Sequence, residues 1–545
     1  MADVAVAGRM TESFEGHGGD FIAVAMRDAG IDRVFTLSGG HIFPIYDGMH
    51  TRGMRIIDVR HEQTAGFAAE GHGKLARTPG VAALTAGPGV TNGISPIASA
   101  HFNGSPLVVL GGRAPQLRWG QGSLQEMEHV PIVASITKHA ETVMDPAAIG
   151  SAAANAFAVA SSPHRGPVFL DVPMEILFTR STAAVSAIAP ASPVMSGDID
   201  AAVRALSSAE RPVLLIGSDV WADGAEKAAR DLVEGLRIPA FMNGMGRGVL
   251  PADHELAFSQ ARGHAFKRAD LVIVAGAPLD FRLGFGKFGD AKIVHLTDHP
   301  ATVAAHVELV AGIGGPLAAI FDALGNAIEQ DRSDWIGELR ATEAEKRAGF
   351  DAELRSTSAP IHPARVYGDL VPRLKRDAIV ICDGGDFVSY AGKFVEVFEP
   401  GGWLDPGPYG CLGTGPGYAL AAGLLHPGRQ IVIMMGDGAA GFGMGDWDTL
   451  VRFGIDVTIV VGNNGIWGLE KHPMNFVYGY DVAADLRPET RYDEVMRALG
   501  GSGEMVGDPN DLGAALDRAL ATDGPSLVNV VTDPAVAYPR SSNLA

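Results

Sequence analysis

Gly436-Asp437-Gly438 and, further along the chain, Asn463-Asn464 form the pair of short motifs that decides the fold. A Val/Ile-rich run precedes each motif, at 430–434 and 457–461, and apolar residues at helical spacing lie between them. This order predicts a strand, a crossover helix and a second strand. Such crossovers are right-handed and make the two strands parallel, so we expect Asp437 and Asn464 at the same sheet edge.

A carboxylate and an amide oxygen at one sheet edge are ligands that Mg²⁺ prefers, and they leave room for phosphate oxygens around an octahedral ion. Gly436 and Gly438 would let the backbone approach a diphosphate, beside a helix N-terminus that favours anions. An ordinary Rossmann turn with a solvated Asp would explain the Gly-Asp-Gly motif alone. It does not explain the asparagine pair in register with it, so we predict a magnesium–diphosphate site.

The same alternation of β-branched runs, glycine-rich turns and helical stretches recurs along all 545 residues. It predicts an α/β fold of three doubly wound parallel-sheet domains. We place an N-terminal domain at 1–180, a central nucleotide-binding-like domain at 196–330 and a C-terminal domain at 362–545. The segment from about 180 to 198, rich in Ala, Ser and Pro, is predicted to be a linker.

Charge and composition restrict the partners of the protein. The formal net charge of −20 argues against a nucleic-acid partner, because an acidic surface repels phosphates. With only two cysteines, Cys382 and Cys411, a disulfide framework is not expected. No signal-peptide core and no apolar run of roughly 20 residues is present in the sequence, so we expect a cytoplasmic protein without a membrane partner.

The two motifs match the thiamine-diphosphate pattern of Gly-Asp-Gly, a spacer of under thirty residues and Asn-Asn. Over essentially its whole length the chain resembles the superfamily of acetolactate synthases, 2-hydroxyacyl-CoA lyases and oxalyl-CoA decarboxylases. The resemblance implies pyrimidine, central and pyrophosphate domains, with thiamine diphosphate held against Gly436 and Gly438. It also implies Mg²⁺ on Asp437, Asn464 and the backbone carbonyl of Ile466.

In this superfamily the cofactor lies between two subunits. The resemblance therefore implies a homodimer at minimum and a homotetramer as the usual assembly. The substrate it implies is a small molecule, either an acyl-CoA or a 2-keto acid.

Glu62 follows a predicted strand and opens an Ala-rich helix, within the segment Arg60-His-Glu62. A carboxylate there could simply favour the helix dipole. The segment resembles the superfamily's Arg-His-Glu motif, whose carboxyl hydrogen-bonds the aminopyrimidine ring and favours the imino tautomer that takes the thiazolium proton. The resemblance therefore makes Glu62 catalytic, and it places Gly89 and Asn92 in the same pocket.

Three closely spaced glycines in the segment 410–422 mimic a dinucleotide fingerprint. No strand precedes them, so we reject a dehydrogenase. The resemblance instead places Leu412 under the cofactor, bending it into a V shape, and turns the Gly410 carbonyl toward the pyrimidine amine. The alternative is that Leu412 is plain core.

The segment Asp383-Gly-Gly-Asp-Phe387 departs from the superfamily pattern. Relatives often place His or Asn there against the diphosphate, and Phe387 cannot hydrogen-bond it. We expect Ser389 or backbone groups to substitute.

Several segments look like acetolactate synthase, and Gln125, within Leu124-Gln-Glu-Met, becomes a further candidate catalytic residue. The stretch from Gly276 to Arg282 is similar to the one that holds FAD in that enzyme. Against this assignment, acetolactate synthases carry a Trp shortly after the Mg²⁺-binding Asn, where this chain has His472 or Pro473.

Other segments look like the CoA-lyase branch, among them 417–422, 463–467 and the C-terminal 540–544, which would close over CoA. In that branch the central domain often holds ADP. The candidate residues for a bound nucleotide, ADP or FAD, are Arg262, Asp280, Arg282 and Asp298, although such residues are often simply solvated surface.

Glu470 follows the Mg²⁺-binding segment, where acetolactate synthases place apolar residues. It would suit a base that moves a proton during 2-hydroxyacyl-CoA cleavage, although a Glu470–Lys471 surface turn is the simpler explanation. The sequence therefore favours a 2-hydroxyacyl-CoA lyase that yields formyl-CoA reversibly, with acetolactate synthase as the alternative. A non-enzymatic scaffold is disfavoured, because Glu62 and Asp437 are both present.

Overall fold

The computed structural model describes residues 13–539, so the C-terminal segment 540–544 lies outside the described residues. Within the described range the chain builds three six-stranded sheets, and every strand pair in them is parallel. The predicted fold class, three doubly wound parallel-sheet domains, is confirmed. The predicted domain boundaries stay predictions.

The first sheet has the strand order β3-β2-β4-β5-β7-β6, and the short strands β1 and β8 pair antiparallel beside it. The six strands of this sheet are β2 Arg33–Thr36, β3 Arg55–Asp58, β4 Gly80–Leu84, β5 Leu107–Arg113, β6 His139–Thr142 and β7 Pro167–Pro173, and the separate pair is β1 Phe14–Gly16 and β8 Ser181–Ala183. Its helices are α1 Gly18–Asp28, α2 Phe43–His50, α3 Glu62–Ala76, α4 Pro88–Asn92, α5 Ile94–Asn103, α6 Val130–Val133, α7 Ile149–Ser161 and α8 Met174–Phe178.

The central sheet has the order β11-β10-β9-β12-β13-β14. Its strands are β9 Pro212–Ile216, β10 Ala240–Met242, β11 Ala257–Phe258, β12 Leu271–Ala275, β13 Lys292–Thr297 and β14 Ala311–Gly314. The helices here are α9 Ile199–Ser208, α10 Ser218–Ala222, α11 Glu226–Leu236, α12 Arg262–Arg268 and α13 Leu317–Leu324, followed by α14 Ser333–Gly349 and α15 Asp351–Leu354.

The third sheet has the order β16-β15-β17-β18-β20-β19. Its strands are β15 Ile379–Asp383, β16 Trp403–Leu404, β17 Ile431–Gly436, β18 Thr458–Asn463, β19 Ser502–Val506 and β20 Ser526–Val531. Its helices are α16 Pro363–Leu370, α17 Asp386–Phe394, α18 Gly415–Leu425, α19 Asp437–Gly443, α20 Trp447–Arg452, α21 Gly468–Tyr478, α22 Tyr492–Ala498 and α23 Pro509–Leu520.

Burial explains why the middle strands of each sheet are continuous apolar runs. Every residue of β9 and of β12 is buried, because helices cover both faces of a doubly wound sheet. The segment predicted to be a linker contains β8 and then irregular backbone up to α9. No helix in the described part of the chain has both the length and the apolar character that a membrane span requires.

The chain order of the strands also locates the ligand crevices. In the third sheet β16 lies on one side of β15 and β17 on the other, so the strand order reverses between β15 and β17. Ligands of open α/β sheets bind outside the carboxyl ends of the strands at such a reversal. Asp383 ends β15 and Asp437 directly follows β17, so the predicted metal ligand lies at this crevice.

The chain forms two compact units. One comprises the N-terminal part up to Ala191 together with Pro406–His426 and Gly443–Phe453. The other comprises Ser192–Asp405, Pro427–Phe442 and the chain from Gly454 onward. The candidate residues for Mg²⁺ belong to the second unit, whereas Glu62, Asn92 and Leu412 belong to the first.

Candidate functional site

Asp437 and Asn464 meet as the sequence predicts. β17 and β18 are parallel neighbours with Gly436 opposite Gly462, and this register brings both side chains to one edge. The Asp437 carboxylate accepts hydrogen bonds from the Gly438 N–H (3.0 Å) and the Gly465 N–H (2.7 Å). The Asn464 side-chain oxygen accepts one from the Ile466 N–H at 3.1 Å. These hydrogen bonds join Asp437 to Gly438 and Asn464 to Ile466. The bond from the Gly465 N–H links Asp437 to the turn that contains Asn464.

The electrostatics of Asp437 fit a bound cation. Its side chain is only 4% exposed, and burial raises its pKa to about 6 although two backbone N–H groups lower it. No Lys or Arg among residues 13–539 lies within ion-pair distance of this carboxylate. A buried carboxylate without a cationic partner is costly, and a divalent metal would offset that cost.

Two glycines keep room for a ligand at this crevice. A Cβ on Gly438 would lie 2.4 Å from the Trp467 ring, so no side chain fits there. Gly384, in the loop after β15, has φ +137°, a backbone conformation that L side chains rarely adopt. Both positions are therefore restricted to glycine, which keeps side chains out of this crevice.

A buried polar network behind Asn464 was not predicted. The Asn463 side-chain amide donates to the Asn529 side-chain oxygen (3.1 Å), and both amides donate to the Thr490 carbonyl. Asn529 lies in the middle of β20, an otherwise apolar buried strand, and this was the signal available in the sequence. Because such networks fix strand ends, Asn529 positions the Asn463-Asn464 turn.

α22 supplies two more residues that sequence reasoning missed. The Tyr492 hydroxyl donates to the Asp437 carbonyl at 3.1 Å. Asp493 is fully buried and would be destabilised by burial, but hydrogen bonds from Arg491 and Arg497 hold its pKa at about 2. Through Tyr492, α22 therefore supports the turn that carries Asp437, the predicted metal ligand.

The loop after β15 differs from the superfamily pattern as the sequence predicts, because Phe387 faces the core. Phe387 is buried in the core, and a Cβ on Gly462 would lie 2.4 Å from its ring. The Ser389 hydroxyl, in α17, donates to the carbonyl of Gly385 at 2.9 Å; Gly385 directly precedes this helix. Its role toward the diphosphate stays a prediction.

Glu62 is the first residue of α3 and is 7% exposed. Its Oε2 accepts a hydrogen bond from the Asn92 side-chain amide at 3.0 Å. The neighbouring Gln63 donates from its side-chain amide to the Leu412 carbonyl at 3.1 Å. The structure thus gathers three of the residues predicted to face the pyrimidine ring, Glu62, Asn92 and the Leu412 segment, within the first unit.

A buried histidine holds the loop that leads into α4, the short helix that contains Gly89 and Asn92. The Gly87 N–H donates to His129 Nε2 (3.0 Å), so the ring proton is on Nδ1, which donates to Asp171 at 2.9 Å. Gln125, with φ +60°, packs against the same turn, since a Cβ on Gly87 would lie 2.9 Å from the Gln125 Cβ. His129 therefore positions the loop whose far end contacts Glu62.

We expect His129→Phe to lower the free energy of unfolding by about 1–3 kcal/mol, because it leaves the buried Gly87 N–H without an acceptor and leaves Asp171 with Arg113 (3.5 Å) as its partner. Urea unfolding followed by circular dichroism measures this difference. The matched control is His50→Phe at an exposed helix end, where a change below about 0.5 kcal/mol is expected. An equally small loss in His129→Phe would contradict the positioning role.

The four residues predicted to bind a nucleotide in the central domain lie in three different segments of that domain. Asp280 and Arg282 pair with each other, with Arg282 Nη2 2.6 Å from Asp280 Oδ2. Arg262 is an exposed residue at the start of α12, and Asp298 is buried directly after β13. These positions neither gather the four residues into one site nor test the predicted ADP or FAD.

The remaining candidates occupy exposed or turn positions. Glu470 is exposed in the first turn of α21, and His472 and Pro473 follow in the same helix. Gly410 has a left-handed backbone with φ +72° at the end of a short turn before α18. Their roles toward substrate and cofactor stay predictions.

Three protein-family models match the chain. They are the N-terminal TPP binding domain, the central domain and the C-terminal TPP binding domain of thiamine pyrophosphate enzymes, at residues 16–132, 199–324 and 383–530. The C-terminal match includes β17 and β18, whose ends carry the residues predicted to hold Mg²⁺ and the diphosphate.

Curated relatives are similar over almost the full length. An acetolactate synthase large subunit (IlvG) of Mycobacterium tuberculosis and a probable acetolactate synthase of Mycobacterium bovis are each 53% identical, over 97% of this chain and 98% of the relative. A 2-hydroxyacyl-CoA lyase 2 of Caenorhabditis elegans is 34% identical, over 96% of this chain and 90% of the relative.

Proposed function

This chain belongs to the thiamine pyrophosphate enzymes, and from that premise we propose that it is a carboligase of the acetolactate-synthase type. It would join two 2-keto acids with loss of one CO₂, and pyruvate is the simplest such substrate. The observation that supports the proposal is 53% identity to two proteins named as acetolactate synthases, spanning 97% of this chain.

The sequence alone favoured the 2-hydroxyacyl-CoA lyase, and the comparisons support the alternative better. The C. elegans relative that carries the lyase name shares 34% identity, well below 53%.

Thiamine diphosphate, when bound, would supply a nucleophilic carbon that adds to the keto group and a thiazolium ring that accepts the electron pair left by CO₂. The residues of this chain would hold and prepare it. Asp437, Asn464 and the Ile466 carbonyl would hold Mg²⁺ on the diphosphate. Glu62, oriented by Asn92, would hold the proton at the aminopyrimidine ring nitrogen.

The decisive experiment offers the purified protein, with thiamine diphosphate and Mg²⁺, two kinds of substrate in parallel. One reaction contains pyruvate and the other a 2-hydroxyacyl-CoA, and NMR identifies the products. We expect acetolactate from pyruvate and no formyl-CoA from the thioester. Formyl-CoA without acetolactate would overturn the proposal in favour of the lyase.

Glu470 gives this experiment an internal check. If the enzyme is a synthase, Glu470→Ala should retain acetolactate formation to within about threefold, because its exposed carboxylate has no proton to move in that reaction. In a lyase that uses Glu470 as its base, the same change should lower formyl-CoA formation by about tenfold or more. The size of the loss in Glu470→Ala thus separates the two functions.

A further inference from the structure

A cavity lies within the second compact unit. Its volume is about 330 Å³, near the lower end of the range for sites that bind small organic molecules. Its walls come from the loop after β10, from β11, from α14, α15 and α16, and from the last turn of α17 with the irregular segment after it. None of the residues predicted for Mg²⁺, thiamine diphosphate or a central-domain nucleotide lines it.

Three cations line this cavity, and only one of them is neutralised. Arg347 pairs with Glu343 (2.9 Å) and with Glu396 (2.7 Å). Arg247 and Lys393 have no carboxylate within ion-pair distance among residues 13–539. The cavity therefore has two positive charges without a direct counter-ion.

Arg247 is held in place by its neighbours, but one of its N–H donors has no acceptor among the residues that the structure describes. Its Nη2 donates to the Gly392 carbonyl at 2.8 Å, and its guanidinium carbon lies 4.3 Å from the centre of the Trp403 ring. Its Nε is buried and has no hydrogen-bond partner in the described part of the chain. A buried N–H donor without an acceptor destabilises the folded protein, and a bound acceptor would remove that cost.

Lys393 is surrounded by aromatic rings. Its Nζ lies 3.6 Å from the centre of the Phe350 ring and 5.1 Å from that of Phe394. Burial lowers the pKa of this ammonium group. A cation–π contact offsets only part of the cost of burying an ammonium group, and a bound anion would offset more.

The other walls of the cavity are apolar. Phe258, Leu354, Val371 and Val395 line it together with the two rings around Lys393. The acids on the wall do not oppose a bound anion strongly, because Glu396 is already paired and Asp351 is exposed at the start of α15.

We propose that this cavity binds a small organic monocarboxylate with an aromatic or branched aliphatic body. The carboxylate would accept hydrogen bonds from Arg247 and Lys393, and the body would pack on the apolar walls. An inorganic phosphate is a poorer fit, because it would leave those walls in contact with water. The site is separate from the one that carries out the proposed reaction.

Isothermal titration of the full-length protein, saturated with thiamine diphosphate and Mg²⁺, tests the proposal. The probe is 3-phenylpropanoate, which has no keto group to react, and 3-phenylpropanamide is its uncharged counterpart. We expect the acid to bind with a dissociation constant at or below about 1 mM and the amide at least about tenfold more weakly.

Lys393→Gln should weaken binding of the acid by at least about tenfold, and Lys393→Arg should keep it within about threefold of the unmodified protein. The matched control is Lys267→Gln, at an exposed position in α12 outside the cavity. Leu354→Trp, which fills the cavity without touching its charges, should also weaken binding. No saturable binding below about 10 mM, equal binding of the amide, or unchanged affinity in Lys393→Gln would each overturn the proposal. The measurement involves no turnover, so its outcome is independent of the proposed reaction.

Discussion

Replacing Glu62 with Gln is expected to lower turnover with pyruvate by about 100-fold or more while thiamine diphosphate remains bound. The Gln side chain has nearly the same shape and can still accept from Asn92, so the pocket should keep its geometry. What it loses is the acidic proton shared with the aminopyrimidine ring. The effect should therefore appear in kcat rather than in cofactor affinity.

Steady-state kinetics and calorimetry together measure this expectation. Glu308→Gln, at an exposed position with no close partner in the described part of the chain, is the matched control and should behave as the unmodified protein. Activity of Glu62→Gln within a few-fold of the control would remove Glu62 from the reaction. Loss of thiamine binding in this variant would show a structural role instead.

Replacing Asp437 with Ala is expected to abolish Mg²⁺-dependent retention of thiamine diphosphate, with affinity at least about 100-fold weaker. The change removes the charged one of the two side-chain ligands. It also leaves the Gly438 and Gly465 N–H groups without their acceptor, so the loops that hold the diphosphate lose their link.

Titration of thiamine diphosphate into the apo-protein, with and without Mg²⁺, measures this loss. Asp290→Ala removes a carboxylate from an exposed position and should leave the affinity unchanged. If Asp437→Ala binds the cofactor as tightly as this control, the metal site lies elsewhere.

The sequence predicted the parts of the fold that depend on local patterns. The apolar runs at 430–434 and 457–461 coincide with β17 and β18 to within one or two residues at each end, because fully buried strands need unbroken apolar sequence. The crossover from Asp437 to Asn463-Asn464 is also as predicted, since handedness leaves few alternatives. Short strands such as β11 and β16, of two residues each, have too little pattern to be predicted.

The missed residues of the site act through contacts that are distant in sequence. His129 meets Asp171 42 positions away, and Tyr492 reaches the Asp437 carbonyl over 55 positions. Hydrophobic periodicity describes one helix or strand at a time, so it does not indicate which distant residue each of these side chains contacts. The preference for the lyase rested on the residue type at Glu470, whereas whole-chain identity supports the acetolactate-synthase alternative better.

The measurement that tests the proposed function most directly is the ratio of CO₂ released to pyruvate consumed by the enzyme with thiamine diphosphate and Mg²⁺. A carboligase that joins two pyruvates with one decarboxylation predicts one CO₂ for every two pyruvates, with acetolactate as the product. One CO₂ for every pyruvate would identify a simple decarboxylase, and no CO₂ at all would identify an enzyme that does not act on 2-keto acids. Either result would contradict the proposed function.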